Sequence, residues 1–286
     1  MDAKKKKKIL LGISLLGCII TLALAIIPEI IKATVYQGFA PVVFTLAFGA
    51  GQRLSLTLTA VCLLFALGLT QTIKPRIKGG VLITIAGFVI ALANFPIANI
   101  AEGSLVISDD VGLWSIYLTY CLAVALFEET AFRGLVFPIL LGYTKKKKHG
   151  VFLAVFLSSG IFALVHLLNL LTGASVPGTI MQVGYTFLIG GMCNVLLIAT
   201  KSLLMPVLAH FAFDIGGLLS GSGIALGKQW NAVSVPIMAV AGVIVAVYMI
   251  VWFFKHEKDA LLIYNFTKDT PREKEVENDS IKADEN

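Results

Sequence analysis

Apolar residues in this chain gather in long runs rather than in alternation. Runs at 9–27, 53–73, 79–98, 111–143, 150–171, 177–199, 202–220 and 233–254 are each close to or above the roughly 20 residues that a helix needs to cross about 30 Å of hydrocarbon. Lipid offers the backbone no hydrogen-bond partners, so runs of this length predict helices. The pattern predicts an all-α, polytopic membrane protein with about eight transmembrane helices in a single domain over residues 1–254. A further stretch at 34–51, TVYQGFAPVVFTLAFGAG, is short and interrupted by glycine and proline, and predicts an interfacial or re-entrant segment. No internal repeat is visible.

Composition agrees: 57% of residues are hydrophobic, 14% are charged, and the mean hydropathy is +0.88, outside the range of soluble domains. The net charge of +6 comes from blocks at Lys4–Lys8, Lys74 with Arg76 and Lys78, Lys145–Lys148, Lys201, and the tail from Lys255. The positive-inside rule puts all of them on the cytoplasmic side. The connections around Glu102, Asp109 and Asp110, the TGASVP turn and residues 221–232 then lie on the opposite side. Counting 34–51 as a span would break this order. The amino terminus resembles a secretory signal and contains Ala23-Leu24-Ala25, but its apolar run continues to Ile27 and predicts an uncleaved first helix.

Both termini are therefore expected in the cytoplasm, with the chain in a plasma membrane of bacterial type and lipids as its constant partner. Basic residues are not interleaved with aromatics, so nucleic acid is not an expected partner. Cys18, Cys62, Cys121 and Cys193 lie in apolar runs without CxxC spacing and read as packing residues. Residues 255–286 are dense in charge and predict a disordered tail. Its Asn265-Phe266-Thr267 triplet carries no glycosylation meaning on the cytoplasmic side.

Against this background, between residues 111 and 227 and apart from Lys145–Lys148, His149 and Lys201, six acidic or basic groups stand out within apolar runs: Glu128, Glu129, Arg133, His166, His210 and Asp214. A charge at the centre of a spanning helix costs roughly 2.5 to 3.5 kcal/mol even on lenient scales. Such groups must face one another or water. Glu129 and Arg133 are four apart and pair on one helical face; Glu128 is turned about 100° away and stays uncommitted. His210 and Asp214 also share a face, and His166 follows Phe162 by one turn. Glu128 lies 17 residues before Lys145 and His166 lies 18 after Lys148, so both sit about 25 Å along their helices from one basic loop. Asp214 sits about 20 Å along its own helix. Pro138 can kink the first of these helices.

Taken singly, the Glu129–Arg133 pair reads as glue within a helix and each histidine as a helix contact. Together, a free carboxylate, two histidines and an aspartate at one depth predict a buried polar site.

The series Glu128-Glu129-x-x-x-Arg133, Phe162-x-x-x-His166 and His210-x-x-x-Asp214, on separate spans, resembles the CAAX prenyl endopeptidase and bacteriocin-processing (CPBP, or Abi) intramembrane protease family. The resemblance covers about residues 110–220. Asp214 departs from the asparagine usual in the family, which leaves open whether this position acts as a donor or a carboxylate.

The resemblance implies a peptidase of the type II CAAX class. Glu128 would be the base that activates water, with His166 sharing that water. His210 would stabilise the oxyanion, Asp214 would orient His210, and Glu129, Arg133 and Phe162 would support them. Glu128, His166, His210 and Asp214 are also a conceivable set for a divalent ion such as zinc, so the reading leaves metallo- and glutamate-type chemistry open. The implied substrate is a peptide or prenylated protein entering from the membrane. Two other classes stay in view: a protein giving bacteriocin self-immunity by binding, and a proton-coupled transporter, against which stands the lack of paired broken helices.

Overall fold

The structure, a computed structural model, describes residues 3–36, 41–74, 80–220, 222–227 and 232–264. Helix α1 (Ala3–Thr34) packs along α2 (Val42–Leu67). Pro41 stands at the N-cap of α2, where its missing N–H breaks no bond. Residues 42–51 therefore belong to a continuous spanning-length helix, and the expected re-entrant segment is corrected to the first part of α2. Gly49 is tolerated there because a neighbour fills its place: a Cβ would lie 2.8 Å from the Tyr120 ring.

The run expected to span at 79–98 is also divided. Helix α3 (Val81–Ala93) stops before Phe95-Pro96, and the short α4 (Ile97–Ala101) follows. Proline disfavours helical geometry in the residue before it, which explains the break.

Asp110 caps α5 (Val111–Glu129) by accepting a hydrogen bond from the Leu113 amide at 3.1 Å. The helix then widens into a π-helical stretch (Thr130–Val136) and resumes as α6 (Phe137–Thr144). Pro138 supplies no N–H and crowds the carbonyl four residues back, that of Gly134. The kink expected at Pro138 thus takes the form of a widened turn ahead of it.

Helix α7 (Gly150–Val165) tightens into a 3-10 turn (His166–Thr172), closed by Gly173 at φ 89°. Helices α8 (Val176–Thr200), α9 (Leu204–Gly217), α10 (Ser234–His256) and α11 (Asp259–Ile263) complete the described chain.

Among the described residues, five helical segments are long and apolar enough to cross a bilayer: Val42–Leu67, Val111–Thr144, Gly150–Leu171, Val176–Thr200 and Val235–His256. Helices α3 and α9 are apolar but shorter. The chain is an α-helical membrane protein. Helix α8 is the most enclosed of the five and α10 the least. Val240, Val243, Val247 and Ile250 of α10 are exposed, an arrangement that hydrocarbon tolerates and water does not.

The connections group at two ends. At one, β1 (Leu105–Ile107) pairs antiparallel with β2 (Ala225–Gly227), Val106 opposite Leu226. Strands of three residues carry too little alternation to be read from sequence. At the other, the Leu203 amide donates to the Thr72 carbonyl at 2.9 Å. Each pairing joins two connections that the charge pattern assigns to one side.

Order also extends beyond residue 255, correcting the expected start of the tail. Ala260 and Tyr264 are buried, with the Tyr264 ring 6.4 Å from that of Phe137. Residues 265–286, with the Asn265 triplet, and Arg76 and Lys78 lie outside the described residues. Cys62, Cys121 and Cys193 are buried free thiols, as packing residues should be.

Helices α7 and α8 approach closely at Gly190, where a Cβ would lie 3.1 Å from the Ser159 Cα. Gly190→Val is expected to destabilise the protein by about 1–3 kcal/mol through overpacking. Gly191→Val, with nothing within 4 Å of its Cβ, should leave the thermal unfolding midpoint in detergent nearly unchanged.

Candidate active site

The innermost group is the carboxylate of Glu129, at the end of α5 and fully buried. Its Oε1 accepts from Arg133 Nη1 at 2.9 Å and from His210 Nδ1 at 2.7 Å. A carboxylate only accepts, so Nδ1 of His210 donates. Arg133, equally buried, also donates through Nη2 to the Gly190 carbonyl at 3.1 Å, and its guanidinium lies 4.6 Å from the Phe162 ring centroid. One cation on the π-stretch thereby touches α5, α7 and α8.

Phe162 is the hub of the aromatic contacts. Its ring meets Phe132 at 4.9 Å, His166 at 5.1 Å and His210 at 6.1 Å, all edge to face. It contacts both imidazoles and the Arg133 guanidinium.

With Nδ1 of His210 committed, Nε2 faces outward. It lies 3.6 Å from Glu128 Oε2 and 3.6 Å from Asp214 Oδ1. The Glu128 side chain is 20% exposed, against 0% for its neighbour Glu129. Adjacent carboxylates thus occupy different surroundings, one dry and paired, one open. Asp214 Oδ2 has no hydrogen-bond partner among the described residues. The part of α9 carrying Asp214 is held by Tyr117, which donates to the Ile215 carbonyl at 2.8 Å, and by Asn94, whose Nδ2 donates to the Phe213 carbonyl at 2.8 Å.

The expected Glu129–Arg133 pair and the openness of Glu128 are both present, but two expected relations differ. Glu129, not Asp214, orients His210 by holding Nδ1; Asp214 faces the other nitrogen. His166 is joined to Glu128 by neither an ion pair nor a hydrogen bond. It stands at the start of the 3-10 turn, and its Nδ1 lies 2.9 Å from the Phe162 carbonyl. A carbonyl accepts, so this nitrogen donates, and in the neutral ring Nε2 is the acceptor. Asn169 fixes the turn by donating to Gln182 of α8 at 2.9 Å.

The conceived zinc set of Glu128, His166, His210 and Asp214 does not fit. Among the described residues no three His, Cys, Asp or Glu side chains form a group suited to a metal ion. His166 shares no ion pair or hydrogen bond with the other three.

Sequence reasoning missed Tyr117, Gly190 and Arg53. Tyr117 and Gly190 carry no signal beyond an apolar pattern. Arg53, an arginine inside an apolar helix, was available as a signal but was placed at a span boundary. Its guanidinium lies 5.3 Å from the ring of Tyr120 on α5.

Residues 110–216 match the family model described as type II CAAX prenyl endopeptidase Rce1-like. Over this segment the chain is similar to the Rce1-like family. No curated protein and no solved structure matches the chain. The Rce1-like segment contains all six intramembrane polar residues singled out above, and Arg53 on α2 lies outside it.

Removing one member of a buried ion pair costs about 3–5 kcal/mol, because its partner is left uncompensated. Arg133→Met should therefore lower the unfolding midpoint sharply. Adding Glu129→Gln should recover part of that loss, as residues in contact couple. Equal or greater destabilisation in the double variant would show that the pair is not the origin of the effect.

Proposed function

We propose that the chain is an intramembrane endopeptidase in which Glu128 activates water for peptide-bond hydrolysis. The observation that carries this reading is the division of His210 between the dry Glu129 and the open pair of Glu128 and Asp214. The Rce1-like segment supports the protease class.

In this mechanism Glu128 takes a proton from water, and the resulting hydroxide adds to the substrate carbonyl carbon. His210, as the imidazolium, donates from Nε2 to the oxyanion while Glu129 holds Nδ1. Collapse breaks the C–N bond, and the leaving amine takes the proton back from Glu128. Asp214 flanks Nε2 and can accept from water or substrate. His166, across Phe162, offers its Nε2 as an acceptor to the incoming peptide or water. No step requires a metal.

The substrate class is a peptide or prenylated protein reaching the site from the membrane. The proposed topology has eight crossings of a plasma membrane, with both termini in the cytoplasm. In it α1 is a span, and α3 and α9, although short, each carry the chain across.

General acid–base catalysis contributes typically about 10²–10⁴-fold. Glu128→Gln should lower the turnover of a prenylated peptide by about that factor, with the unfolding midpoint nearly unchanged because Glu128 is partly exposed and approaches His210 Nε2 only to 3.6 Å. Full activity in this variant would remove Glu128 as the base. Cleavage by the purified protein is also expected to survive prolonged incubation with a strong chelator; loss of activity that zinc restores would contradict the metal-free mechanism.

A further inference from the structure

Asn194 is fully buried in α8. An amide in such surroundings must be held by hydrogen bonds, because a buried polar group left without one is costly. Its Nδ2 donates to the Gly190 carbonyl at 3.0 Å and, across to α7, to Ser159 Oγ at 3.4 Å. Oδ1 has no hydrogen-bond partner among the described residues, so the nitrogen alone holds the amide. Ser159 in turn donates to the Val155 carbonyl at 2.8 Å.

The Gly190 carbonyl is also the acceptor for Arg133 Nη2, at 3.1 Å. Two side-chain donors, one from α8 itself and one from the π-stretch, share this oxygen, which sets Asn194 beside the guanidinium. Ser159 precedes Phe162 by three residues, so both fall on one face of α7, and the Phe162 ring lies against the same guanidinium. Arg133 is thus held between α7 and α8, and the bonds of Asn194 join those two helices next to it. From Ser159 the hydrogen bonds run through Asn194 and the Gly190 carbonyl to Arg133, and from there through Glu129 Oε1 to His210 Nδ1. Every side chain along this path is buried, where close packing passes a displacement of one group to the next.

We propose that Asn194 is a positioning residue: its amide nitrogen fixes Ser159 and the Gly190 carbonyl around Arg133, and through Arg133 and Glu129 it sets the orientation of the His210 imidazole. Its effect on turnover rests on the endopeptidase reading. Its effect on His210 does not.

The test uses the full-length protein in nanodiscs with isotope-labelled histidine. Asn194→Leu nearly keeps the side-chain volume and removes the donor; Ser159→Ala removes only the far end of the path. For each variant kcat and KM are measured with a farnesyl-cysteine peptide, together with the unfolding midpoint and the Nδ1–H resonance of His210, assigned by its loss in His210→Gln. A small misplacement remote from the chemistry can cost about 10²-fold in rate. Asn194→Leu should lower kcat by about 10- to 100-fold with KM little changed, and should shift or broaden the His210 resonance. Ser159→Ala should move both in the same direction by less, and the double variant should depart from the sum of the two, since the residues are in contact.

A wild-type kcat in Asn194→Leu overturns the proposal. A loss of kcat with the His210 resonance unmoved, or a lowered unfolding midpoint as the sole change, overturns it too, because either describes packing alone. If wild type leaves the peptide intact, a moved resonance in Asn194→Leu means that the positioning role stands and the endopeptidase reading falls, whereas an unmoved one removes the positioning role. If Asn194→Leu does not fold, Ser159→Ala decides by the same readouts.

Discussion

One carboxylate oxygen, Oε1 of Glu129, ties the site together by accepting from Arg133 and His210 at once. In a dry interior neither charge can be left alone, so this junction sets the distance between α5 and α9. Arg133 extends the constraint to α8 through the Gly190 carbonyl and to α7 through the face of Phe162. Helix packing within lipid lacks the hydrophobic drive available in water. A shared charge is a directional substitute, and it fixes the rotation of each helix as well as its separation.

The same junction explains why two neighbouring glutamates have different tasks. Glu129 spends its capacity on structure and is sealed; Glu128, one residue earlier, is partly exposed and faces His210 Nε2. Their contrast comes from helical phase and from which neighbours reach each face, since the side chains are chemically identical. His210 joins the two environments, with one nitrogen on each side of the boundary.

Much of this was legible in the sequence because charges in apolar runs are costly and few. Their spacing gave the Glu129–Arg133 pair, the freedom of Glu128 and the shared face of His210 and Asp214. The broad helical architecture followed from run length alone. What remained hidden depends on contacts between segments far apart in sequence. Whether Glu129 or Asp214 takes Nδ1 of His210 is decided by how α5 meets α9, which spacing within α9 does not reveal. The continuity of α2 was obscured because Gly49 and Pro41 signal a break locally, while the close Tyr120 ring and the position of Pro41 at a helix start remove that meaning. The ribbon of β1 and β2 joins strands too short to announce themselves, from connections more than a hundred residues apart.

The widened stretch at Thr130–Val136 has a consequence for how the chain tolerates change in length. Each helical residue turns the chain by about 100°. Losing a single residue there would let the rod relax into regular α-helix, a gain for the segment taken by itself. It would also swing Arg133 or everything beyond it out of phase with Glu129. The segment is thus one in which a deletion that improves local geometry dismantles the charge junction, and its length is under tighter constraint than its apolar composition suggests.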